Sequence, residues 1–226
     1  SINFGIVADV TSDPQSFIFE RTLGSTAADA APRVAAAVTG ERGLVLSTVK
    51  HFPGHGISPG DSHVSIPSSS IGIDEWRSVH APPFAAAIEA GAELVMMGHL
   101  QLDAVDPQPA SLSPAWISIL REELGFDGII ITDDMLMLER SGRAELADTV
   151  QNSVRAVAAG NSMLLYVGAV DVAAIVEAIA ASVRGGDIPE SMIDDAAQLL
   201  LETRRVLSRK TGAFAHCFEE CRDRVS

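Results

Sequence analysis

Gly128-Ile-Ile-Ile-Thr-Asp-Asp134 is a run of three isoleucines that ends in two adjacent carboxylates. A short, continuous apolar run of this kind is typical of a strand that is covered on both faces, as in a parallel sheet. Parallel α/β proteins carry their functional groups just past the carboxyl ends of such strands. The stretch therefore predicts a buried parallel strand that delivers Asp133 or Asp134 to a functional edge of a sheet.

Strand-like and helix-like segments alternate along the chain. Periodicity predicts strands over residues 2–10, 44–49, 94–98, 128–132 and 163–167. It predicts helices over residues 27–39, 74–90, 113–124, 143–159, 170–184 and 189–208, with Asp74 and Ser113 as N-caps. This alternation predicts a parallel α/β sheet. Polar residues follow four of the strands: Asp9, Lys50 with His51, His99, and Asp133 with Asp134.

The number of strand–helix units is smaller than a closed barrel requires. An eight-stranded barrel typically needs about 250 residues, whereas this chain has 226 residues and five predicted units. Either the sheet is open, or three strands are missing from the chain. The tail after Gly212 differs in composition and is expected to form a loosely packed extension.

Composition excludes several classes of function. The formal charge is −14, with 16 Lys and Arg against 30 Asp and Glu, which argues against a nucleic-acid partner. The chain has no run of about 18 apolar residues, so no membrane span is expected. Two cysteines, Cys217 and Cys221, are too few for a disulfide framework.

Lys50-His-Phe-Pro-Gly-His-Gly56, followed by Asp61-Ser-His63, concentrates ionisable groups between glycines and prolines. Glycine and proline interrupt regular structure, so the stretch is expected to form a loop that carries chemistry. Asp61 can hydrogen-bond one ring nitrogen of His63, which suits a general acid–base at neutral pH. For His55 alone, a structural role in the turn is favoured.

Other interpretations of these side chains remain open at this point. His51, His55 and His63 could ligate a transition metal, but their spacing is not that of a structural zinc site, and Lys50 would repel a cation. No metal is therefore expected. Of the two carboxylates after the 128–132 strand, one can be a nucleophile or a ligand while the other caps the next turn.

Several motifs taken in order resemble glycoside hydrolase family 3, and within it the single-barrel β-N-acetylglucosaminidases that recycle or trim peptidoglycan. The most specific is Lys50-His-Phe-Pro-Gly-His-Gly56. The others are Asp61-Ser-His63, Gly125-Phe-Asp-Gly-Ile-Ile-Ile-Thr-Asp-Asp-Met135, Glu20-Arg-Thr-Leu-Gly24, Ala87-Ile-Glu-Ala-Gly91, Val95-Met-Met-Gly-His99 and Leu120-Arg-Glu-Glu-Leu-Gly-Phe126. The resemblance implies a (β/α)8 TIM-barrel-like α/β fold, incomplete in this chain.

The resemblance also implies roles for individual residues. Asp133 corresponds to the catalytic nucleophile, and His63 to the acid/base with Asp61 as its partner. The residues that correspond to sugar-binding positions are Lys50, His51, Arg21 and His99. The implied activity is removal of terminal β-N-acetylglucosamine from cell-wall saccharides with retention of configuration, on a small saccharide and without a cofactor. A phosphorylase of the same family and a truncated barrel that binds sugar without turnover are the alternatives.

The family carries roughly two further strand–helix units ahead of the strand that begins at Ile2. Residues 1–210 are therefore expected to be the C-terminal two-thirds of a catalytic barrel, and residues 211–226 a C-terminal extension. A missing N-terminal segment of the same protein is an expected partner.

Overall fold

A computed structural model describes residues 1–58, 60–62 and 65–208 of the protein. The predicted acid/base His63, the predicted extension over residues 211–226 and both cysteines lie outside the described residues.

Five parallel strands form the main sheet. The strands of the described chain are β1 (Ile2–Val7), β2 (Leu46–Phe52), β3 (Ser68–Ser69), β4 (Leu94–Met97), β5 (Gln101–Leu102), β6 (Ile129–Asp134) and β7 (Met163–Leu165). The order in the main sheet is β1-β2-β4-β6-β7, and every neighbouring pair is parallel. The short strands β3 and β5 pair separately. Because every neighbouring pair is parallel, the carboxyl ends of all five strands lie at one edge of the sheet.

Helices connect these strands. They are α1 (Ala27–Glu41), α2 (Ile73–Val79), α3 (Ala81–Glu89), α4 (Pro114–Ser118), α5 (Leu136–Arg140), α6 (Thr149–Ala159), α7 (Val172–Gly185) and α8 (Glu190–Leu207). None of the helices in the described part of the chain is long and apolar enough to cross a lipid bilayer.

Both faces of the sheet are covered. Successive side chains of a strand point to opposite faces, and each face packs against its own apolar cluster. On one face, Val49, Val95 and Ile130 are fully buried in a core with side chains of the connecting helices. On the other face, a second apolar cluster packs against Leu199 and Leu200 of α8; its buried strand residues are Leu46, Leu94, Met96, Ile129 and Ile131. Each face buries apolar side chains, which explains the continuous apolar runs of the strands.

The predicted fold class is confirmed: the protein has a TIM-barrel-like α/β fold with five strand–helix units. β1 and β7 end the sheet, and within the described ranges each pairs with one strand only.

The predicted strand boundaries were wrong at several ends. The first strand ends at Val7 rather than at residue 10, so Asp9 follows it. The second predicted strand is β2, which begins at Leu46 and continues to Phe52. The fourth predicted strand is β6, which reaches Asp134. In these last two strands backbone pairing continues past the polar side chains at which the apolar run stops, whereas after Val7 pairing ends although the apolar run continues.

Three predicted helices also need correction. The helix expected over residues 74–90 is divided at His80 into α2 and α3, because Pro82 and Pro83 have no N–H to continue the ladder. The N-cap of α2 is Gly72, not Asp74. The helix expected over residues 143–159 is preceded by a separate 3-10 turn, Ala144–Leu146, and begins at Thr149.

The helix expected over residues 113–124 has an irregular second half. Ser113 caps its start as predicted, since its side chain accepts from the Trp116 N–H. α4 then passes into a π-helical turn, Ile119–Glu123.

Candidate active site

The polar residues at the strand ends come together at the carboxyl edge of the sheet. Lys50 pairs with Met96 across β2 and β4, and Met97 pairs with Thr132 across β4 and β6. This register places the ends of β2 and β6 on either side of the end of β4. The side chains that follow these ends therefore face a common space.

Asp133 is the partly exposed carboxylate of this group, with 19% of its side chain accessible. Burial by itself would raise its pKa, but the nearby His51 and His99 lower the pKa below the ordinary value. The Asp134 N–H, which donates to Oδ1 at 2.8 Å, and the nearby Lys50 ammonium lower the pKa further. Asp133 is thus held as a carboxylate, the form that can act as a nucleophile.

Asp134 has a structural task, as predicted for one of the two carboxylates. Its Oδ1 accepts from the backbone N–H of Leu136 at 3.1 Å and from that of Val167 at 2.9 Å. The first bond caps the turn into α5, and the second ties the chain after β7 to the end of β6. Asp134 is buried, so the two adjacent carboxylates differ in exposure and in hydrogen-bond partners.

His51 lies between Asp133 and a carboxylate that sequence reasoning did not single out, Asp9. Nδ1 of His51 is 2.7 Å from Oδ2 of Asp9, and Nε2 is 3.9 Å from Oδ2 of Asp133. Asp9 is fully buried and also accepts the backbone N–H of His51 at 3.1 Å and that of His55 at 2.5 Å. Sequence reasoning noted Asp9 only as a polar residue at a strand end.

The pKa of Asp9 reflects these contacts. Burial alone would raise its pKa, but the facing His51 imidazole lowers it, and so do the hydrogen bond from that ring and the charge and N–H of His55. The net pKa of Asp9 lies below the ordinary value. An ionised carboxylate can only accept hydrogen bonds, so His51 carries a proton on Nδ1.

His55 connects the strand end to the loop that follows. Its ring packs against Phe17 and His51, with centroids 5.7 and 5.9 Å away, and its Nε2 is 2.8 Å from Oγ of the buried Ser62. Burial lowers the pKa of His55. The structural role favoured for His55 is consistent with these contacts.

Gly56 is required by a close approach of two chain segments. A Cβ on Gly56 would lie 1.9 Å from the carbonyl oxygen of Val10. Any side chain here would therefore push the loop away from the end of the first strand.

His99 lies behind Asp133 rather than in the open. It is fully buried, and its Nε2 donates to the carbonyl oxygen of Asp134 at 2.9 Å. Its Nδ1 accepts from the Ser111 hydroxyl at 2.6 Å. Burial lowers its pKa, which favours the neutral ring. Both nitrogens already have protein partners, so His99 supports the Asp133–Asp134 segment from within.

Lys50 and Arg21 are two cations whose charges act on each other at this site. Burial, followed by the charge of Arg21, lowers the pKa of Lys50, while Asp133 and Asp9 raise it. Arg21 is exposed, and its guanidinium lies over the ring of Phe17 at 5.8 Å. Lys50 is thus close enough to one cation, Arg21, and to two carboxylates, Asp9 and Asp133, for their charges to act on it.

Asp61 lies in the loop with intermediate exposure, and its carbonyl oxygen accepts from the Ser65 N–H at 3.2 Å. It is next to the buried Ser62, which His55 holds. The structure describes Asp61 but not His63, so the geometry of the predicted pair stays a prediction.

An aromatic cluster fixes the Phe52–Pro53 corner below the site. The Phe52 ring makes edge contacts with Trp76, Phe84 and Trp116 at 5.3 to 5.9 Å. Trp76 Nε1 donates to the Pro53 carbonyl oxygen at 2.8 Å. Both tryptophans of the chain therefore anchor the end of β2.

No group of three or more His, Cys, Asp or Glu side chains that could hold a metal ion occurs within residues 1–58, 60–62 and 65–208.

Comparison with known proteins gives consistent matches. The family model described as glycosyl hydrolase family 3 N-terminal domain matches residues 1–203. A β-hexosaminidase of Stenotrophomonas maltophilia is 44% identical over 124 residues, which cover 52% of this chain and 37% of that protein. A β-hexosaminidase of Methylococcus capsulatus is 34% identical over 165 residues, covering 72% of this chain and 48% of that protein.

A solved structure extends the match to nearly the whole chain. The family 3 β-N-acetylglucosaminidase of Paenibacillus sp. FPU-7 superimposes with a TM-score of 0.85 and 32% identity, covering 97% of this chain and 42% of that one. The chain thus spans less than half the length of these relatives.

Proposed function

Because the chain belongs to glycosyl hydrolase family 3, we propose that it carries the catalytic groups of a retaining β-N-acetylglucosaminidase. The observation that carries this proposal is the state of Asp133. It is a carboxylate at the carboxyl end of a parallel strand, its pKa is lowered by His51 and His99, and part of it is open to a ligand. An ionised, accessible carboxylate is what attack on an anomeric carbon requires.

The proposed reaction has two steps. Asp133 Oδ attacks the anomeric carbon and forms a glycosyl ester, while the bond to the leaving oxygen breaks and His63 supplies its proton. Water then attacks the same carbon, His63 takes one of its protons, and Asp133 departs as a carboxylate. Two inversions at one carbon retain the configuration. Asp61 would orient His63 and favour its protonated form.

Lys50, His51 and Arg21 are proposed to hold sugar hydroxyls. Lys50 and His51 lie near the carboxyl end of β2, and His51 faces Asp133. Burial leaves the Lys50 ammonium poorly hydrated, which lowers its pKa. A donor of this kind gains from a hydroxyl partner. His99 is proposed to act through the Asp134 carbonyl, because both its ring nitrogens are occupied by protein groups.

The substrate class is proposed from the relatives. The two curated relatives are named β-hexosaminidase, and the structural relative is a β-N-acetylglucosaminidase. We propose terminal β-N-acetylglucosamine of peptidoglycan-derived saccharides as the substrate of this protein.

The outer strands of the sheet are proposed to pair with a further segment of the same protein. Within the described residues, β1 and β7 each have one neighbour, and an unpaired strand edge is an aggregation hazard. An eight-stranded barrel would pair both edges, and the matched relatives are more than twice as long as their aligned regions.

The test is turnover of an aryl β-N-acetylglucosaminide, followed by NMR of the first-formed sugar. We expect release of β-N-acetylglucosamine, independent of phosphate. A first product of α configuration would contradict the mechanism. Phosphate-dependent turnover with a sugar 1-phosphate product would establish a phosphorylase instead, and binding of N-acetylglucosamine without turnover would establish a sugar-binding barrel.

A further inference from the structure

Asp9 is a carboxylate that the proposed reaction leaves without a role. It is fully buried, and it accepts from two backbone N–H groups and one imidazole. A buried charge persists only when paired and hydrogen-bonded, and both conditions are met here. Its partners His51 and His55 lie in the segment that connects Lys50 with the loop around Asp61.

The contacts of Asp9 determine which way the His51 ring is used. The ionised Asp9 carboxylate can only accept hydrogen bonds. His51 Nδ1, which is 2.7 Å from Oδ2 of Asp9, therefore carries the proton. Nε2 then faces Asp133 at 3.9 Å, a distance too long for a hydrogen bond but within the range of an ion pair. The His51 N–H, which also donates to Asp9, fixes the backbone that carries this ring.

We infer that Asp9 is a positioning residue of this site, which holds the His51 proton on Nδ1 and directs Nε2 towards Asp133. The inference deepens the proposed function and rests on it only for what Asp133 does. Asp9 is separated from Asp133 by the imidazole, so it acts on the nucleophile through His51.

The consequence for Asp133 is electrostatic. The groups that face Asp133 are His51 and Lys50 from β2, His99 after β4, and the backbone N–H of Asp134. His51 makes the largest lowering contribution to the pKa of Asp133. A His51 ring that cannot keep its Nδ1 proton cannot carry the charge that lowers the pKa of Asp133. Without that charge the pKa of Asp133 would rise, and the carboxylate would be protonated at a higher pH.

Asp9→Asn separates this role from simple support. The asparagine oxygen can still accept from the N–H groups of His51 and His55. Its NH2 group, placed opposite Nδ1, must donate, so the His51 ring has to accept there and carry its proton on Nε2. The substitution therefore keeps the shape and the backbone anchor while it removes the proton from Nδ1.

The experiment compares wild type, Asp9→Asn and the control Asp106→Asn. Asp106 also accepts a hydrogen bond, at 2.6 Å from the Ser113 hydroxyl, but does so at the start of α4. In ¹⁵N-histidine NMR we expect the wild-type His51 to be protonated on Nδ1, and that proton to be absent in Asp9→Asn only. In kcat/KM profiles we expect the acid limb of Asp9→Asn to move up by about one pH unit. Its kcat should fall on the order of 10- to 100-fold.

Several results would overturn the inference. A wild-type His51 without a proton on Nδ1 would do so directly, even if the Asp9→Asn variant failed to fold. A folded Asp9→Asn variant with an unmoved acid limb would show that Asp9 only supports the fold. If wild type turned over no β-N-acetylglucosaminide, the proposed function would fail, while the NMR spectra would still decide the role of Asp9.

Discussion

Nε2 of His51 lies 3.9 Å from Oδ2 of Asp133, and the opposite ring nitrogen of His51 is bound to the buried carboxylate of Asp9. Two strands that are not neighbours in the sheet, β2 and β6, are thereby coupled at their carboxyl ends across β4. The coupling matters because it places a buried charge behind the imidazole and an accessible carboxylate in front of it. The role of Asp133 can therefore be tested separately from that of the adjacent Asp134.

Asp133→Asn should abolish most of the turnover, whereas Asp134→Asn should not. Loss of the nucleophile should lower kcat by about a thousandfold or more, with little change in the free energy of unfolding. Asp134→Asn should retain most of the turnover, because an amide oxygen can still accept from Leu136 and Val167. Kinetics with an aryl β-N-acetylglucosaminide and urea unfolding of both variants measure this. Wild-type turnover in Asp133→Asn would refute the assignment of the nucleophile.

His99→Leu should lower kcat while KM stays near the wild-type value. Both ring nitrogens bond to protein groups, so the substitution leaves the Asp134 carbonyl and the Ser111 hydroxyl unpaired in the interior. The expected loss of stability is about 1–3 kcal/mol. Removing His99 also takes away a group that lowers the pKa of Asp133, so the acid limb of kcat/KM should move to higher pH.

The control for this prediction is His99→Gln, whose side-chain NH2 can donate to the same carbonyl and should recover part of kcat. A rise in KM as the main effect of His99→Leu would instead indicate direct contact with the sugar.

Gly56→Ala should displace the segment after His55. The added Cβ would meet the Val10 carbonyl oxygen at 1.9 Å, and overpacking of this kind typically costs about 1–3 kcal/mol. Turnover should fall with stability, because the same segment leads to Ser62 and Asp61. Urea unfolding and kinetics measure both effects. Gly40→Ala in α1 is the matched control: its Cβ meets open space, so the variant should be as stable as wild type or up to about 1 kcal/mol more stable. Equal behaviour of the two variants would rule out the steric explanation.

The strands and the edge that carries Asp133 could be predicted from sequence for a simple physical reason. A parallel strand covered on both faces needs an uninterrupted apolar run, and residues 129–131 provide one, with only Thr132 between them and Asp133. The ends of the strands could not be predicted in this way, because Lys50 and Asp133 lie in paired backbone although their side chains are polar.

The role of Asp9 was inaccessible from sequence for a different reason. Its imidazole partner is 42 residues away and its second backbone partner is 46 residues away. No local spacing connects these positions, and an aspartate after a strand is equally compatible with a cap. Only the parallel pairing of β1 with β2 brings Asp9 beside His51.

The stability of the protein should fall as the pH is lowered from about 6.5 to 4, in part because of His80. Burial lowers the pKa of His80 to about 4, and its Nδ1 has no partner within the described ranges. Between the unfolded pKa near 6.5 and the folded value, the unfolded chain binds a proton that the folded chain does not. The free energy of unfolding is therefore intact above pH 6.5 and decreases as pH falls through this window. The contribution of His80 is on the order of 3 kcal/mol.

His80→Leu should reduce this decrease without removing it, because His55 and His99 are also buried with lowered pKa values. Urea unfolding at pH 7 and pH 4.5 measures the difference for each protein. Ser78→Ala, an exposed change two residues away, should keep the wild-type pH dependence. If His80→Leu lost as much stability between the two pH values as wild type does, the buried imidazole at position 80 would not be a source of the acid sensitivity.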